Sequence, residues 1–207
     1  MKKLKASVII PNWNGYKLLE DCLSSLKMQT FQDFEIILVD NGSTDNSLQY
    51  VRNNFPQIKI ISLDKNYGFA RAINEGVRAS TAEYVVFLNN DTAVDKNWLR
   101  SLIACADVHP EVISINSKLL NFYDRKIIDG VGILINELGQ ARSIGWQEKD
   151  SGQYNSEQYI FGATGGASLF SRKDFIKAGM FDERYFMYSE EVDFAFRAQF
   201  LGYKSIF

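Results

Sequence analysis

The sequence has few of the residues that cross-linking and nucleophilic catalysis depend on. There are two cysteines, Cys22 and Cys105, and one histidine among 207 residues. Two cysteines make no disulfide framework, so a reducing cytoplasmic environment is expected. The lone His109 precedes Pro110 at an expected helix end, where a capping or surface role is typical. Its isolation argues against Ser-His-Asp chemistry.

A strong net charge and long apolar runs are lacking too. The formal net charge is -2 at pH 7, so no broad attraction to nucleic acid or to an anionic membrane is expected. No apolar run approaches the ~18 residues that span a bilayer. The basic start of the sequence does not lead into a signal-peptide stretch. The length and the 46% of hydrophobic residues predict one globular domain, 1–207.

Two common nucleotide-binding motifs are absent from the sequence. No Gly-x-Gly-x-x-Gly follows the first predicted strand, and no Gly-Lys-Ser/Thr P-loop occurs. These absences argue against dinucleotide redox enzymes and P-loop ATPases.

Strand and helix patterns alternate through the first half of the sequence. This alternation predicts right-handed βαβ units and a parallel sheet with helices on both faces. Strands are predicted at 6–10, 34–39, 58–63 and 84–88, and helices at 17–29, 44–54, 69–79 and 96–108. Ser43 or Thr44 is the predicted N-cap of the second helix.

The second half predicts a less regular organisation. Strand patterns cover 112–120, 126–135 and the glycine-interrupted 159–170, and helices are predicted at 171–178 and 189–202. The polar, glycine-rich stretch 136–156 is predicted to be a long loop, of the kind that often serves as a lid. The fold class is therefore α/β with a mixed, mainly parallel sheet. Because the sequence stops at Phe207 in the middle of an expected strand, we expect a chain truncated at its C-terminus.

Polar clusters follow the four predicted strands of the first half. Each cluster alone is more typical of a turn. Because the carboxyl ends of parallel strands lie on one edge of the sheet, the four together predict a ligand site. Asp91 is well placed there to hold a divalent cation, and Asp40 to accept hydrogen bonds from a nucleoside. The clusters are Pro11-Asn12-Trp13-Asn14-Gly15, Asp40-Asn41-Gly42-Ser43-Thr44-Asp45, the stretch 64–70 and Asn89-Asn90-Asp91.

Three further carboxylates, Glu190, Glu191 and Asp193, open the last predicted helix. An acidic first turn is common because it complements the helix dipole. Here the neighbouring sequence is aromatic and apolar, which favours a partly buried acidic cluster. Clustered carboxylates repel one another, so one pKa tends to rise, as suits a general base.

The ordered set of motifs resembles the family-2 inverting glycosyltransferases with the GT-A fold, and most closely the rhamnosyltransferase-like enzymes of cell-surface polysaccharide synthesis. The resemblance covers essentially the whole chain. It rests on 40–45, on Asn66-x-Gly68-Phe69-Ala70 running to Asn74-x-Gly76, on Asn89-Asn90-Asp91, on Gly165-Gly166-Ala167 and on Glu190-Glu191-Val192-Asp193.

The resemblance implies a role for particular residues. Residues 1–95 would form the nucleotide-sugar-binding half and 96–207 the acceptor-binding half. Glu191 would be the catalytic base, and Asp91 would hold Mn²⁺ or Mg²⁺. The implied nucleotide-binding residues are Pro11, Asn12, Asn14, Asp40, Asn41, Asn66, Gly68, Phe69 and Ala70, and the implied sugar and acceptor residues are Asn89, Asn90, Gly165, Gly166, Glu190 and Asp193.

The resemblance also implies the partners. The donor would be a nucleotide-diphosphate sugar, dTDP-rhamnose or a UDP-sugar, and the acceptor a glycan, usually one on a lipid carrier. That acceptor would place the protein in the cytoplasm at the inner face of the membrane. One departure concerns the metal, since Asn89 stands where the family has the first carboxylate of Asp-x-Asp, and His109 does not match the family's metal-ligating histidine.

Two other functions stay open on the sequence. A nucleotidyltransferase also uses an α/β sheet and an Asp-bound Mg²⁺, but it usually needs a basic glycine-rich loop after the first strand. The segment Asn12-Trp13-Asn14-Gly15 has no basic residue until Lys17. The other alternative is a module that binds a nucleotide sugar or a partner without turnover.

Overall fold

The computed structural model describes residues 4–207. The helices in this range are α1 (Leu19–Lys27), α2 (Ser47–Asn54), α3 (Phe69–Ala79), α4 (Trp98–Val108), α5 (Arg172–Lys177) and α6 (Glu190–Phe200). The strands are β1 (Ala6–Asn12), β2 (Phe34–Asp40), β3 (Lys59–Ser62), β4 (Tyr84–Leu88), β5 (Val112–Asn116), β6 (Leu119–Leu120), β7 (Ile128–Gly130), β8 (Ile133–Ile135), β9 (Ala141–Ser143), β10 (Tyr159–Ile160), β11 (Ala167–Ser171) and β12 (Lys204–Ile206).

One eight-stranded sheet organises both halves of the chain, in the order β10-β12-β5-β11-β4-β1-β2-β3. The four strands β3, β2, β1 and β4 are parallel, as the alternation of strands and helices predicts. β11 lies antiparallel between β4 and β5, and β10 lies antiparallel to β12 at the edge. Asn12 pairs with Asp40 in the register of β1 and β2, so the carboxyl ends of these strands lie side by side.

Helices cover both faces of this sheet. Along β1, side chains alternate between the faces. Ala6, Val8 and Ile10 join the core that α1, α2 and α4 cover, whereas Ile9 joins the core under α3, α5 and α6. At Gly76 of α3, a Cβ would overlap the side chain of Ile9, so the missing side chain lets this helix lie close to the sheet. The predicted α/β class with helices on both faces is confirmed.

The predicted start of the second helix is wrong. α2 begins at Ser47 with Asn46 as its N-cap. Ser43 and Thr44 belong to the preceding loop, where the backbone N–H of Thr44 donates to Asn14 Oδ1 at 2.8 Å. The backbone N–H of Ser43 donates to the carboxylate of Asp40 at 3.2 Å. Because the contact with Asn14 holds Thr44 in the loop, the helix begins three residues after Thr44, at Ser47.

The strands of the second half are shorter than predicted. The predicted strand 112–120 divides at Asn116, and 126–135 divides into β7 and β8. The predicted loop 136–156 contains β9, which pairs with β8 in a separate hairpin. The predicted strand 159–170 divides into β10 and β11, because Thr164 is held away from a straight strand by Asn116 Oδ1, which accepts from its backbone N–H and its hydroxyl.

None of the helices within residues 4–207 combines the length and the apolar character needed to cross a membrane.

Candidate functional site

A cleft of about 240 Å³ opens at the carboxyl edge of the parallel strands. It collects most of the predicted nucleotide and sugar residues in one place. Those residues are Pro11, Asn12, Asn41, Asn66, Gly68, Phe69, Asn89 and Asn90, and the predicted metal ligand Asp91 lies with them. Trp13, Phe186 and Met187, which had no predicted ligand role, complete the lining. Trp13, Phe186 and Met187 are each more than half exposed. Trp13 directly follows the end of β1 and could be found from the polar cluster there, whereas Phe186 and Met187 precede α6 and carry no such signal.

Three predicted nucleotide-binding residues lie elsewhere. Ala70 is fully buried in the core under α3. Asp40 is buried beneath the cleft and does not line it. Asn14 lines a separate open cavity with Thr44 and Asp45. A ligand in the cleft would therefore not touch these three residues directly, and they would act on it only through neighbouring residues.

The buried side chain of Asn12 links three strand ends under the cleft. Its amide Nδ2 donates to Asp40 Oδ1 at 3.3 Å and to Ser43 Oγ at 3.2 Å. Its Oδ1 accepts from Asn90 Nδ2 at 2.8 Å. A Cβ on Gly15 would overlap the side chains of Asn12 and Asn90, so glycine leaves room for this network. The network fixes the relative positions of β1, β2 and β4 at the cleft floor.

The side chain of Asn41 forms hydrogen bonds to the loop that makes one wall of the cleft. Its Nδ2 donates to Asn66 Oδ1 at 2.9 Å and to the carbonyl of Gly68 at 3.0 Å. Its Oδ1 accepts from the backbone N–H of Tyr67 at 2.9 Å. Both amide hydrogens are thereby engaged, so Asn41 acts on a ligand through the loop it shapes.

Gly68 lies in direct contact with the segment before α6. Its φ is 90° and its ψ is 172°, a conformation essentially restricted to glycine. A Cβ there would overlap the carbonyl oxygen of Phe186. That same carbonyl accepts from the backbone N–H of Phe69 at 2.7 Å. Gly68 thus lets the segment carrying Phe186 and Met187 close over the cleft.

The variant Gly68→Ala is expected to be destabilised by about 2–4 kcal/mol, since backbone strain and overlap with Phe186 add. Gly139→Ala is the matched control, because Gly139 has a φ of 76° and no atom lies within 4 Å of the point that a Cβ would occupy. It should be destabilised by only about 1–2 kcal/mol. Urea denaturation of both variants measures the difference, and equal losses would contradict the proposed contact.

Two glycines, Gly165 and Gly166, bring the segment before β11 close to the cleft. A Cβ on Gly165 would lie 2.7 Å from the ring of Phe69, so glycine allows the chain to pass beside that ring. The carbonyl of Gly166 accepts from the backbone N–H of Asn89 at 2.9 Å. The predicted sugar-binding residues Gly165, Gly166 and Asn89 are therefore brought together with the cleft.

Asp91 lies where two cavities meet. It lines the 240 Å³ cleft and also a neighbouring cavity of about 450 Å³ with Trp98, Lys118 and Gly166. Its side chain is exposed and contacts Thr92 Oγ1 at 3.4 Å. This leaves carboxylate oxygens open towards solvent, as a cation shared with a ligand needs.

The surroundings of Asp91 fit a cation held by one carboxylate together with a diphosphate. Within residues 4–207, Asp91 belongs to no group of three or more Cys, His, Asp or Glu atoms close enough to share one ion. Mg²⁺ commonly uses only one or two protein carboxylates and completes its shell with phosphate and water. A cation at Asp91 would therefore need oxygen ligands from a bound molecule and from water to complete its shell.

Buried Glu190 and partly buried Glu191 form a pair of neighbouring carboxyl groups at the start of α6. Glu190 is only 3% exposed. The Oε2 atoms of both residues are buried and have no hydrogen-bond partner within residues 4–207. Burial, and next the charge of Glu191, raise the pKa of Glu190 well above its usual range. A proton retained on Glu190 keeps the two neighbouring carboxyl groups from carrying two negative charges.

The backbone before this pair is strained. Tyr188 and Ser189 both have a φ of 71°, and Ser189 is the N-cap residue of α6. Two consecutive non-glycine residues in the left-handed region each cost about 1–3 kcal/mol, and such strain clusters at active sites. Met187, next to them in the chain, lines the cleft. The strained turn therefore connects the carboxyl pair to the cleft wall.

Asp193 is engaged in a structural ion pair. Its Oδ2 accepts from Arg197 Nε at 2.9 Å and Nη2 at 2.7 Å. Arg197 also donates to the carbonyl of Met180 at 2.7 Å and to that of Ala178. The ion pair attaches α6 to the turn after α5, so Asp193 supports the acidic cluster through the position of its helix.

The raised pKa of Glu190 predicts a pH-dependent stability. In the unfolded chain this carboxyl loses its proton near the ordinary value of 4.5, whereas the folded chain retains it to higher pH. Stability should therefore fall as the pH rises above that value. Glu190→Gln removes this titration, so its stability gain over the parent should be larger at about pH 7.5 than at about pH 5 in urea denaturation. A gain that is independent of pH would contradict the assignment.

Solved glycosyltransferase structures share this fold. The chain superposes on the crystal structure of Staphylococcus aureus TarS with a TM-score of 0.72 and 20% identity, covering 94% of this chain and 33% of TarS. It superposes on the mannosyltransferase PcManGT of Pyrobaculum calidifontis, solved with GDP-Man and Mn²⁺, with a TM-score of 0.70 and 18% identity, covering 99% and 55%. These likenesses show the GT-A fold.

Sequence comparison gives curated relatives of the same kind. The glycosyltransferase GlyG of Streptococcus pneumoniae is 34% identical over 99 residues, which cover 46% of this chain and 33% of GlyG. The poly(ribitol-phosphate) beta-N-acetylglucosaminyltransferase TarS of Staphylococcus aureus is 33% identical over 124 residues, which cover 57% of this chain and 22% of TarS. The match thus spans a third or less of these two relatives.

The family profile "Glycosyl transferase family 2" matches residues 7–179. This range contains the floor of the cleft and the polar strand ends, from Pro11 to Asp91. It extends over more than half of the chain and confirms the family resemblance. The chain belongs to glycosyl transferase family 2.

Proposed function

We propose that this chain is the catalytic domain of an inverting glycosyltransferase that moves a sugar from a nucleotide-diphosphate donor to a glycan or lipid-linked acceptor in cell-surface polysaccharide synthesis. The observation that carries the proposal is the cleft beside β1 and β4. It places Asn12, Asn66 and Asp91 on one side and the segment leading to Glu190 and Glu191 on the other. Family membership and the TarS relative support the same reaction class.

The donor nucleoside would lie against the polar strand ends. Pro11, Asn66, Gly68 and Phe69 line the cleft and offer backbone groups, the amide of Asn66 and one aromatic ring to a base and a ribose, whereas Asn12, whose amide is already hydrogen-bonded, forms the floor beneath them. Asn14, Asp40 and Asn41 would hold the surrounding loops in place. This assignment makes residues 1–95 the nucleotide-sugar half and 96–207 the acceptor half.

The sugar and acceptor would occupy the side of the cleft near Gly165 and Gly166. Asn89 and Asn90 offer amide groups for sugar hydroxyls, and the neighbouring 450 Å³ cavity beside Asp91 offers room for an acceptor. Asp91 would hold Mn²⁺ or Mg²⁺ against the diphosphate. A divalent cation bound there supplies stabilisation of the charge that builds on the leaving diphosphate.

Glu191 would act as the base. The incoming hydroxyl must lose a proton, and a carboxylate within about 2.6–3.2 Å of it takes that proton. The hydroxyl oxygen then attacks the anomeric carbon opposite the leaving group, which departs with the bonding electrons as a nucleoside diphosphate. Attack from that face inverts the anomeric centre, so one base suffices. Glu190, protonated beside Glu191, would keep the pair from carrying two negative charges in a buried place.

The rhamnosyltransferase-like resemblance favours dTDP-rhamnose as the donor, with UDP-sugars as the second choice. A lipid-linked acceptor would place the protein in the cytoplasm, at the inner face of the membrane. Both are parts of the proposal that rest on the motif set, since amide side chains such as Asn89 and Asn90 fit many hydroxyl patterns.

The experiment is a product analysis of the chain with donor, Mn²⁺ and a panel of glycan and lipid-linked acceptors. The proposal expects a nucleoside diphosphate and a glycosylated product with inverted anomeric configuration. Donor binding without turnover would instead favour the binding module. Pyrophosphate release from a nucleoside triphosphate and a sugar phosphate would favour a nucleotidyltransferase.

A further inference from the structure

Three potential metal ligands meet at the C-terminal end of α4, and none of them lines the donor cleft. One ligand atom each from Cys105, His109 and Glu157 can be chosen so that all three lie within 4.8 Å of one another. Cys105 lies in the last turn of α4 and His109 is the C-cap residue, four positions later, so both side chains share one face. Glu157 comes from the segment that leads into β10.

Two of the distances between these side chains are close to those between the ligands of one zinc ion, although they end on different oxygens of Glu157. Cys105 Sγ lies 3.5 Å from Glu157 Oε1, and His109 Nε2 lies 3.0 Å from Glu157 Oε2. Zinc binds sulfur at about 2.3 Å and nitrogen or oxygen at about 2.0–2.2 Å, which places neighbouring ligand atoms of a tetrahedron roughly 3.3–3.7 Å apart. Only small side-chain shifts would bring the three donors around one ion.

The imidazole has a further partner on its other side. His109 Nδ1 lies 3.4 Å from Glu111 Oε1. A metal-bound histidine almost always donates its second ring N–H to a carboxylate, a carbonyl or water, which orients the ring. Glu111 therefore fits as the carboxylate that directs His109 Nε2 towards an ion.

The chemistry of the three donors selects the metal. Sulfur, imidazole nitrogen and carboxylate oxygen together suit zinc, whereas Mg²⁺ and Mn²⁺ prefer oxygen ligands throughout. Ordinary hydrogen bonding explains the contact of His109 with Glu157. Hydrogen bonding explains the contact of the Cys105 thiol with Glu157 less well, because a thiol is a weak hydrogen-bond donor.

We propose that Cys105, His109 and Glu157 bind one zinc ion, with water as the fourth ligand, and that the ion fastens the segment before β10 to the end of α4. On binding, the thiol gives up its proton to solvent and the thiolate coordinates the metal. The site is independent of the proposed transfer reaction, since none of its residues belongs to the cleft around Asp91.

The test is a titration of chelator-treated protein with Zn²⁺ alone, and in parallel with Co²⁺, without any nucleotide. The proposal expects one ion per chain and a cobalt–thiolate charge-transfer band in the near ultraviolet. Cys22 is fully buried, so that band would report Cys105. Cys105→Ser should remove the band and weaken zinc binding by about 100-fold or more, while Glu111→Gln should keep the band and weaken binding by about 10–100-fold.

The control is Asp91→Asn, which should keep both the stoichiometry and the cobalt band. If Cys105→Ser folds poorly, Glu157→Gln decides, because Glu157 is exposed and its replacement spares the core. A cobalt spectrum without a thiolate band would overturn the proposal. So would zinc affinity unchanged by both Cys105→Ser and Glu157→Gln.

Discussion

The variant Glu191→Gln is expected to lose sugar transfer and to keep donor binding. Glutamine has nearly the same shape as glutamate but cannot take a proton from the acceptor hydroxyl. General base catalysis contributes about 10²–10⁴-fold, so kcat should fall by that factor. Donor affinity, measured by isothermal titration calorimetry, should change by less than about threefold, since the proposed donor contacts lie on other residues.

The neighbouring variant Glu190→Gln is the matched control for this prediction. Burial and the charge of Glu191 raise the pKa of Glu190, so the neutral amide imitates the protonated side chain already present. This variant should keep most of the activity. Full activity in Glu191→Gln, or an equal loss in both variants, would contradict the assignment of Glu191 as the base.

The second large effect is expected for Asp91→Asn. Replacing this carboxylate removes the only charged protein ligand proposed for the cation. Charge stabilisation by a metal is worth several kcal/mol, so the metal-dependent transfer rate should fall by roughly 10³-fold. The measurement is the initial rate as a function of Mn²⁺ concentration, at saturating donor and acceptor.

Asp129→Asn serves as the control for Asp91. Asp129 is also an exposed aspartate, and it lines the neighbouring 450 Å³ cavity together with Asp91. It should keep the Mn²⁺ dependence of the parent chain. A rate in Asp91→Asn that still rises normally with Mn²⁺ would place the cation elsewhere.

The parallel half of the fold could be predicted because its signals are local. Strands β1, β2 and β4 are built on apolar runs and β3 on the pair Ile60-Ile61, and the helices between them carry apolar residues at helical spacing. The short strands of the second half carry no such signal. β6 and β10 have two residues each, and their pairing depends on partners far along the chain. The place of β11 between β4 and β5 is likewise set by the sheet as a whole.

The convergence of the polar strand ends on one cleft was predictable, but the contacts of each side chain were not. Polar strand ends converge by topology alone, so Asn12, Asn66 and Asp91 could be identified from the sequence. Side-chain geometry decides that Asn41 donates both amide hydrogens to the cleft wall and that Asp193 pairs with Arg197, and the sequence does not show this geometry. Phe186 and Met187 stand far from the other cleft residues in sequence, and the contact of Gly68 with Phe186 brings them there.

A thermal-shift panel of dTDP, UDP, GDP and their sugars, each with and without Mn²⁺, tests most directly whether this cleft binds a nucleotide-diphosphate donor. A ligand that binds only the folded state stabilises it by RT ln(1 + [L]/Kd), about 2.7 kcal/mol at about 100 times Kd, or roughly 5–10 °C for a chain of this size. We expect one nucleotide to raise the melting temperature, and to raise it further with Mn²⁺. No shift with any nucleotide or nucleotide sugar, with or without Mn²⁺, would contradict the account.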